Sequence, residues 1–461
     1  MRAVNADDVE LERPLQTLEN IIVHGQGNAG DVVVLPLAEL KLTKNIDVSL
    51  METAVCNIVI RHPNLRAIFI EDEKDRSKEK RFSMVFLKAE VALEKFKFFE
   101  HAVLDEWSIE FAENQSRRIP GVGPGMQQFR VILATLKSSR LAYLMLFYNH
   151  AIADGMSGPI ILNDILHRYT ESLLGEAANE KAGTIVPTLP ELNNTKELPS
   201  KNVDALVNLL NSQQSNYSQA IPTACDRSGK CHPNGFICTK GSEEGSAALL
   251  AKCREESTTV GMALLAAVYW TIAQLDTQNR KPPVMNIDVD LRSRFVCNNI
   301  KNRGVGLIIG MSNVCRRAVI NDDDDFWTYA RRLEGELKRG LSENEHFVFH
   351  HAIQQRWVED APDSKDMNFS SMGMYPFPTR FHNSGIELTG YWTPGDGWCP
   401  AMFGTMVFLS NGLPSGQCYC MVFEDMGENR KLAANMVDKI QRLCEDVAIQ
   451  AKPLIFKDYI E

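Results

Sequence analysis

The stretch from Phe147 to Gly158 reads FYNHAIADGMSG. It grows out of LAYLMLFY (Leu141 to Tyr148), a continuous apolar run of the kind that forms a strand buried on both faces. His150 stands where that run ends, so its ring can emerge from a sheet at a cleft. Asp154 follows, close enough in the chain to fix local geometry, and Gly155 follows where a side chain would obstruct a site. Then PIILNDILHRYTESLL reads as a helix, with Pro159 suited to its first turn. Ile161, Ile165, Leu166, Tyr169 and Leu173 form one face of it; Asn163, Asp164, His167 and Arg168 lie off that face. Neutral imidazole is an effective general base near pH 7, because its pKa lies near the operating pH. A lone histidine is more often a packed structural residue, however, and the alternative for the aspartate is a surface residue that merely caps the following helix. The rest of the chain decides between these readings.

With 461 residues the chain exceeds what one core supports, since single cores stop growing at roughly 250–300 residues. We expect an N-terminal lobe over 1–175, a linker or crossover over 176–202, and a C-terminal lobe over 203–461. The linker segment has three prolines between Gly175 and Asn202 and little apolar content. Upstream, NIDVSLMETAVCNIVIRHPNLR predicts a helix capped by Asp47 or Ser49, repeating at Leu50, Ala54 and Ile58 and stopped at Pro63. AIFIE and RFSMVFL read as strands, and a mostly helix-and-loop stretch follows them. In the second half come an apolar helix near 259–275, strands at VMNIDVDL and GVGLIIGM, a hairpin TMVFLS–NGLPSG–QCYCMVFE, and a last helix from Lys431 to Ala451. That helix turns Leu432, Met436, Ile440, Leu443 and Val447 inward.

Several readings are set aside. The net charge of −10 shows no dominant basic stripe, so no nucleic-acid partner is expected. The N-terminus has no apolar h-region and no run reaches the ~18 residues of a membrane span, which points to a cytoplasmic protein. Eleven cysteines, an odd number, read as reduced thiols. Cys225, Cys231, His232 and Cys238 lack the tight pairs of a zinc site. His346, His350 and His351 have no accompanying carboxylate or cysteine signal, so no metal is expected. GQGNAG (Gly25 to Gly30) matches a dinucleotide pattern but is followed by DVVVLPL, which does not open a helix; LENIIVH before it reads as the first strand of a hairpin.

The motif H-x-x-x-D-G at His150–Gly155 resembles that of the chloramphenicol-acetyltransferase-like superfamily. That group includes the BAHD and alcohol acyltransferases, the mycobacterial polyketide-associated acyltransferases and the peptide-synthetase condensation domains. Further blocks agree in order and rough spacing. RHPNLRAIF (Arg61 to Phe69) is similar to the condensation-type RHxxLRxxF, and IDVDLRSR (Ile287 to Arg294) to the VDLR strand. GVGLIIGM stands at the Gly-rich strand, NFSSMG (Asn368 to Gly373) resembles SNLG, and GDGWCP (Gly395 to Pro400) partly matches the plant DFGWG. Condensation domains usually carry two adjacent histidines; here the first is Asn149, which fits the single-histidine acyltransferases.

The resemblance implies an α/β fold of two chloramphenicol-acetyltransferase-like lobes, each a two-layer sandwich, with a substrate channel between them. It implies that His150 takes a proton from an acceptor hydroxyl or amine as that atom attacks a thioester carbonyl. Ser370, Asn368 and Ser371 are candidates for the oxyanion, with Trp398 through its indole N–H. Asp154 is implied to pair with Arg292 and tie the lobes together, and Gly155 to support the turn. Arg294, Lys301 and Arg303 are candidates for the phosphates of acyl-CoA, the expected co-substrate. The expected protein is a monomeric acyltransferase acting on a small or lipidic alcohol or amine, with no permanently bound cofactor. Two alternatives stay open: a free-standing condensation-like enzyme using a carrier-bound thioester, and a non-catalytic binding protein that keeps the channel.

Overall fold

The computed structural model describes residues 5–24, 32–71, 82–118, 125–176, 183–186, 220–224, 233–275, 283, 285–294, 304–312, 319–346, 366–397, 405–450 and 452–460. It divides into two compact units of mixed α/β structure. The first comprises residues 1–196, 290–308 and 376–397; the second comprises 197–289, 309–375 and 398–461. The contiguous blocks expected from the linker therefore give way to an exchange: two segments beyond residue 202 belong with the N-terminal part.

In the first unit, β1 (Val9–Pro14), β4 (Ala67–Glu71) and β5 (Phe82–Leu87) form a small antiparallel sheet in the order β1-β5-β4. Between them lie α1 (Thr17–His24), β2 (Val33–Val34), β3 (Leu37–Leu42) and α2 (Val48–Arg61). Thus LENIIVH is helical and no strand. Asp47 caps α2, its Oδ1 accepting from the N–H groups of Ser49 and Leu50. Next come α3 (Ala89–Lys95), β6 (Phe99–Leu104), α4 (Ile109–Ser116), β7 (Phe129–Leu136), β8 (Leu141–Asn149) and α5 (Ser157–Leu173). The stretch expected to be mostly helix and loop thus holds two strands, β6 and β7, paired in parallel.

β8 is the centre of the larger sheet. β7 pairs with it antiparallel on one side, while β2 and β3 pair with it on the other. Both of its faces are buried from Ala142 to Tyr148, which is why its sequence lacks alternation. The segment 376–397 adds β13 (Arg380–Phe381), β14 (Ile386–Trp392) and β15 (Gly395–Asp396). β14 pairs with β3, and β15 pairs with β2.

In the second unit the sheet order is β11-β10-β12-β16-β17-β9. Its strands are β9 (Asn234–Lys240), β10 (Met285–Asp290), β11 (Ile309–Ser312), β12 (Met367–Met374), β16 (Met406–Leu413) and β17 (Gly416–Glu424). The hairpin strands β16 and β17 run further than the sequence suggested and close through Pro414 and Ser415. Its helices are α6 (Glu243–Glu255), α7 (Val260–Leu275), α8 (Phe326–Ser342), α9 (Asn429–Ile449) and α10 (Phe456–Ile460). Helix α7 is apolar all round because it is enclosed: Met262 to Ile272 are buried without a break. Among the described residues no single helix is long and apolar enough to cross a membrane.

Candidate active site

The site grows from the end of β8. Asn149 is fully buried, and its Oδ1 accepts from the N–H of Ala151 at 2.8 Å while its carbonyl accepts from Ile152. The Asn149 N–H donates to the carbonyl of Gln128, and the His150 N–H donates to that of Val32 at 2.7 Å. The chain therefore leaves the sheet in a tight turn whose backbone is tied on both flanks. Asn64, in the RHPNLR block, donates through Nδ2 to the carbonyl of Ile152 at 3.0 Å and holds the turn from beneath. That block is itself anchored. Arg66 is buried and donates to the carbonyls of Leu87, Val59 and Ile60 and to Glu10, and His62 meets Asp164 of α5 at 2.9 Å.

His150 is partly buried at this turn. Burial lowers its imidazole pKa, because desolvation disfavours the cation; hydrogen bonds with the backbone at His150 and Ala153 and the charge of Asp154 oppose that effect. The neutral, base-competent ring is thus favoured near pH 7.

Asp154 does more than cap a helix. It is 2% exposed, and its carboxylate is surrounded by donors. Oδ1 accepts from the N–H and Oγ of Ser157, each at 2.9 Å, which starts α5. Arg292 donates to both oxygens, Nη2 to Oδ1 at 2.8 Å and Nη1 to Oδ2 at 2.9 Å. The Ile308 N–H completes the set at 2.9 Å to Oδ2. Burial alone would push this carboxyl up; the Arg292 guanidinium overrides it and holds the pKa below the ordinary carboxylate value. Arg292 is 2% exposed and also donates to Asp290 and to the carbonyls of Gly304 and Gly306. The expected Asp154–Arg292 pair is therefore present, but both residues belong to the first unit, and the pair joins segments within it. Gly155 is partly buried in the same turn, its carbonyl accepting from Gly158.

Four residues escaped the sequence reading. Ser157 links Asp154, Arg292 and the Gly306 N–H; its signal was the serine three residues after an aspartate at a helix start. Gly304 and Gly306, read as part of a strand, instead form a loop whose carbonyls receive Arg292; the strand begins only at Ile309. Gly158 lies where α5 crosses the sheet, and a Cβ there would meet Pro36 Cγ and Tyr391 Oη, each at 2.6 Å. Since the proline ring has little room to yield, Gly158→Ala is expected to destabilise the protein by about 1–3 kcal/mol. Chemical denaturation measures this, and unchanged stability would show that the helix has slack.

Asn368, Ser370 and Ser371 lie on β12 in the second unit and do not share a face. Ser371 accepts from Ser410 Oγ at 3.0 Å, on the side of Gly261 in α7. Asn368 and Ser370 point the other way; Asn368 Nδ2 donates to Asp288 Oδ2 at 3.0 Å. Arg294 closes the short turn Arg292–Arg294. Trp398, Lys301 and Arg303 lie outside the described residues, as do Gly25–Gly30, Cys225, Cys231, His232, His350 and His351. His346 is buried, and Cys238 sits on β9. Among the described residues no cluster of histidine, cysteine or carboxylate side chains could hold a metal ion.

The condensation-domain family matches residues 26–185, a span that carries His150, Asp154 and Gly155. A curated relative, a linear gramicidin synthase of Brevibacillus parabrevis, is 28% identical over 187 residues, 40% of this chain. A second, the nonribosomal peptide synthetase easA of Emericella nidulans, is 25% identical over 181 residues, 38% of this chain. The chain spans only 3% and 2% of these two much longer proteins. Among solved structures, the first condensation domain of the calcium-dependent antibiotic synthetase superposes with a TM-score of 0.74 at 11% identity, covering 98% of this chain and 99% of that one. The TRI3 trichothecene 15-O-acetyltransferase of Fusarium sporotrichioides gives 0.73 at 11% identity, covering 96% and 97%.

Proposed function

We propose that this chain, a member of the condensation-domain superfamily by its N-terminal sequence and by its fold, is an acyltransferase that moves an acyl group from a thioester, acyl-CoA in the first instance, to a hydroxyl or amine of a small or lipidic acceptor. The observation that carries this reading is the construction around His150. A buried five-donor carboxylate, an arginine and an asparagine turn fix the backbone of the loop that carries His150 at the end of a central strand. A histidine that merely filled space would not need such a frame.

In this reading His150 accepts the acceptor's proton as its oxygen or nitrogen attacks the thioester carbonyl. The tetrahedral intermediate then collapses with loss of the thiolate, which takes the proton back from the imidazolium. No atom or electron is left over, and neither metal nor redox group is required. Ser370, with Asn368, Ser371 and Trp398 as the other candidates, would donate to the oxyanion. Asp154 is not a member of a proton relay, because its oxygens are occupied by Arg292, Ser157 and Ile308. It positions the loop.

Arg294, Lys301 and Arg303 would face the phosphates of CoA. Replacing all three with alanine is expected to raise KM for acyl-CoA about tenfold, with kcat little changed, because phosphate contacts bind ground and transition states alike. Unchanged KM would remove that site. The family match also favours a second donor, a carrier-bound thioester, and the same variant separates the two. To test the function itself, purified protein is incubated with an acyl-CoA panel and pooled alcohols and amines, and products are read by mass spectrometry. A new acylated product with stoichiometric free CoA is expected; its absence with both CoA and carrier donors would refute acyl transfer.

A further inference from the structure

The sheet of the second unit packs one face against its helices: Met285, Ile287, Met367, Phe369, Met406 and Phe408 all enter that core. By strand alternation Asn286 and Asn368 lie on the opposite face, side by side in the parallel register of β10 and β12. Asn286 is 0% exposed and Asn368 2%. Neither amide atom of Asn286 has a hydrogen-bond partner among the described residues, and the Oδ1 of Asn368 has none either. A buried amide without partners is strongly disfavoured, and each such group calls for an explanation. The same cross-strand row continues through Val407, Val422 and Phe236, which are apolar and buried, so the face does not demand polar residues for packing. On this face the polar side chains of β10 and β12 lie beside a buried patch of Val407, Leu409, Cys420, Val422 and Phe236.

We infer that the Asn286–Asn368 pair receives a secondary amide of the acyl donor's pantetheine arm. Asn286 Nδ2 donates to the amide carbonyl, and an Oδ1 of the pair accepts from the amide N–H. The inference rests on the acyl-transfer reading and adds to it the group by which the donor is recognised. CoA and carrier-bound thioesters share this amide, so the pair serves either source. Ser370 is the next side chain on that face of β12, one pleat repeat or roughly 6–7 Å along. That spacing is comparable with the reach from the cysteamine amide to the thioester carbonyl, so an amide on the asparagines brings the carbonyl towards Ser370. The adjoining apolar patch of Val407, Leu409 and Val422 suits the acyl group.

The test compares S-acetyl-N-acetylcysteamine, which keeps that amide, with S-butyl thioacetate, which lacks it, in wild type and Asn286→Leu. Wild type is expected to favour the amide-bearing donor by about ten- to a hundredfold in kcat/KM. Asn286→Leu should bring that ratio close to one, leave the rate with S-butyl thioacetate unchanged, and fold at least as stably. A ratio that persists in the variant overturns the inference. So does an equal loss on both donors with a lowered Tm, which would mark Asn286 as structural, or a raised acceptor KM alone. Should the leucine variant not fold, Asn286→Ser applies the same comparison. If wild type turns over no thioester, the acyl-transfer reading fails, and saturation-transfer NMR with free pantetheine decides the pair separately. Binding lost in the variant supports it; no binding, or binding unchanged, overturns it.

Discussion

Arg292→Ala is expected to cost about 3–5 kcal/mol of stability, enough to remove much of the folded protein from a total of about 5–15 kcal/mol. The cost comes less from the lost attraction than from what stays behind. Asp154 would remain buried with its Ser157 and Ile308 donors but without a counter-charge, and the carbonyl of Gly304 would lose the Arg292 donors. The pair joins the loop after β8 to the segment 290–308, which closes on it only through tertiary contacts. Asp154→Asn keeps the shape but leaves the guanidinium opposed only by Asp290, so it should lose folded protein or activity as well. The pH dependence has a definite sign. Asp154 has a depressed folded pKa, so its contribution is full above the unfolded value of about 3.9 and is lost progressively as pH falls below that value through the lower folded pKa. Thermal unfolding of the variants and of wild type across acidic pH measures this. An Arg292→Ala protein with wild-type Tm would contradict the clamp.

His150→Ala is expected to lower kcat by about 10²–10⁴-fold, the range for a lost general base, while stability changes little. The backbone N–H of residue 150 still reaches Val32 in the variant, and the Asn149 and Asp154 contacts do not pass through the ring. The base acts when neutral, and burial lowers its pKa from 6.5. Wild-type kcat/KM should therefore rise with pH along a limb whose midpoint lies below pH 6.5, and that limb should vanish in the variant. A variant that unfolds would mark His150 as a packing residue. A variant that folds and keeps full activity would remove it from the chemistry.

The first-unit motif was legible because its signals are local. The unbroken apolar run marked a central strand, Asp47 and Pro63 bracketed α2, and the block order carried the Asp154–Arg292 pairing. β6 and β7 were missed. FEHAVL alternates with polar and exposed residues, and FRVILATL carries an arginine that folds back over Phe147. The division into units was also out of reach, because β14 joins β3 and β15 joins β2 across more than 340 residues, and no local pattern encodes a register. The same reason hid Asn286, an ordinary residue in a strand until β12 is laid beside it.

The most direct test of the central claim follows isotope-labelled acetyl-CoA, with the acceptor identified from the pooled screen, in wild type and His150→Ala under identical conditions. Transfer of the label to the acceptor by wild type, with one free CoA for each product and a rate at least about a hundredfold lower in the folded variant, is the predicted result. Equal label transfer by both proteins, or binding of acetyl-CoA with no transfer by either, would contradict it.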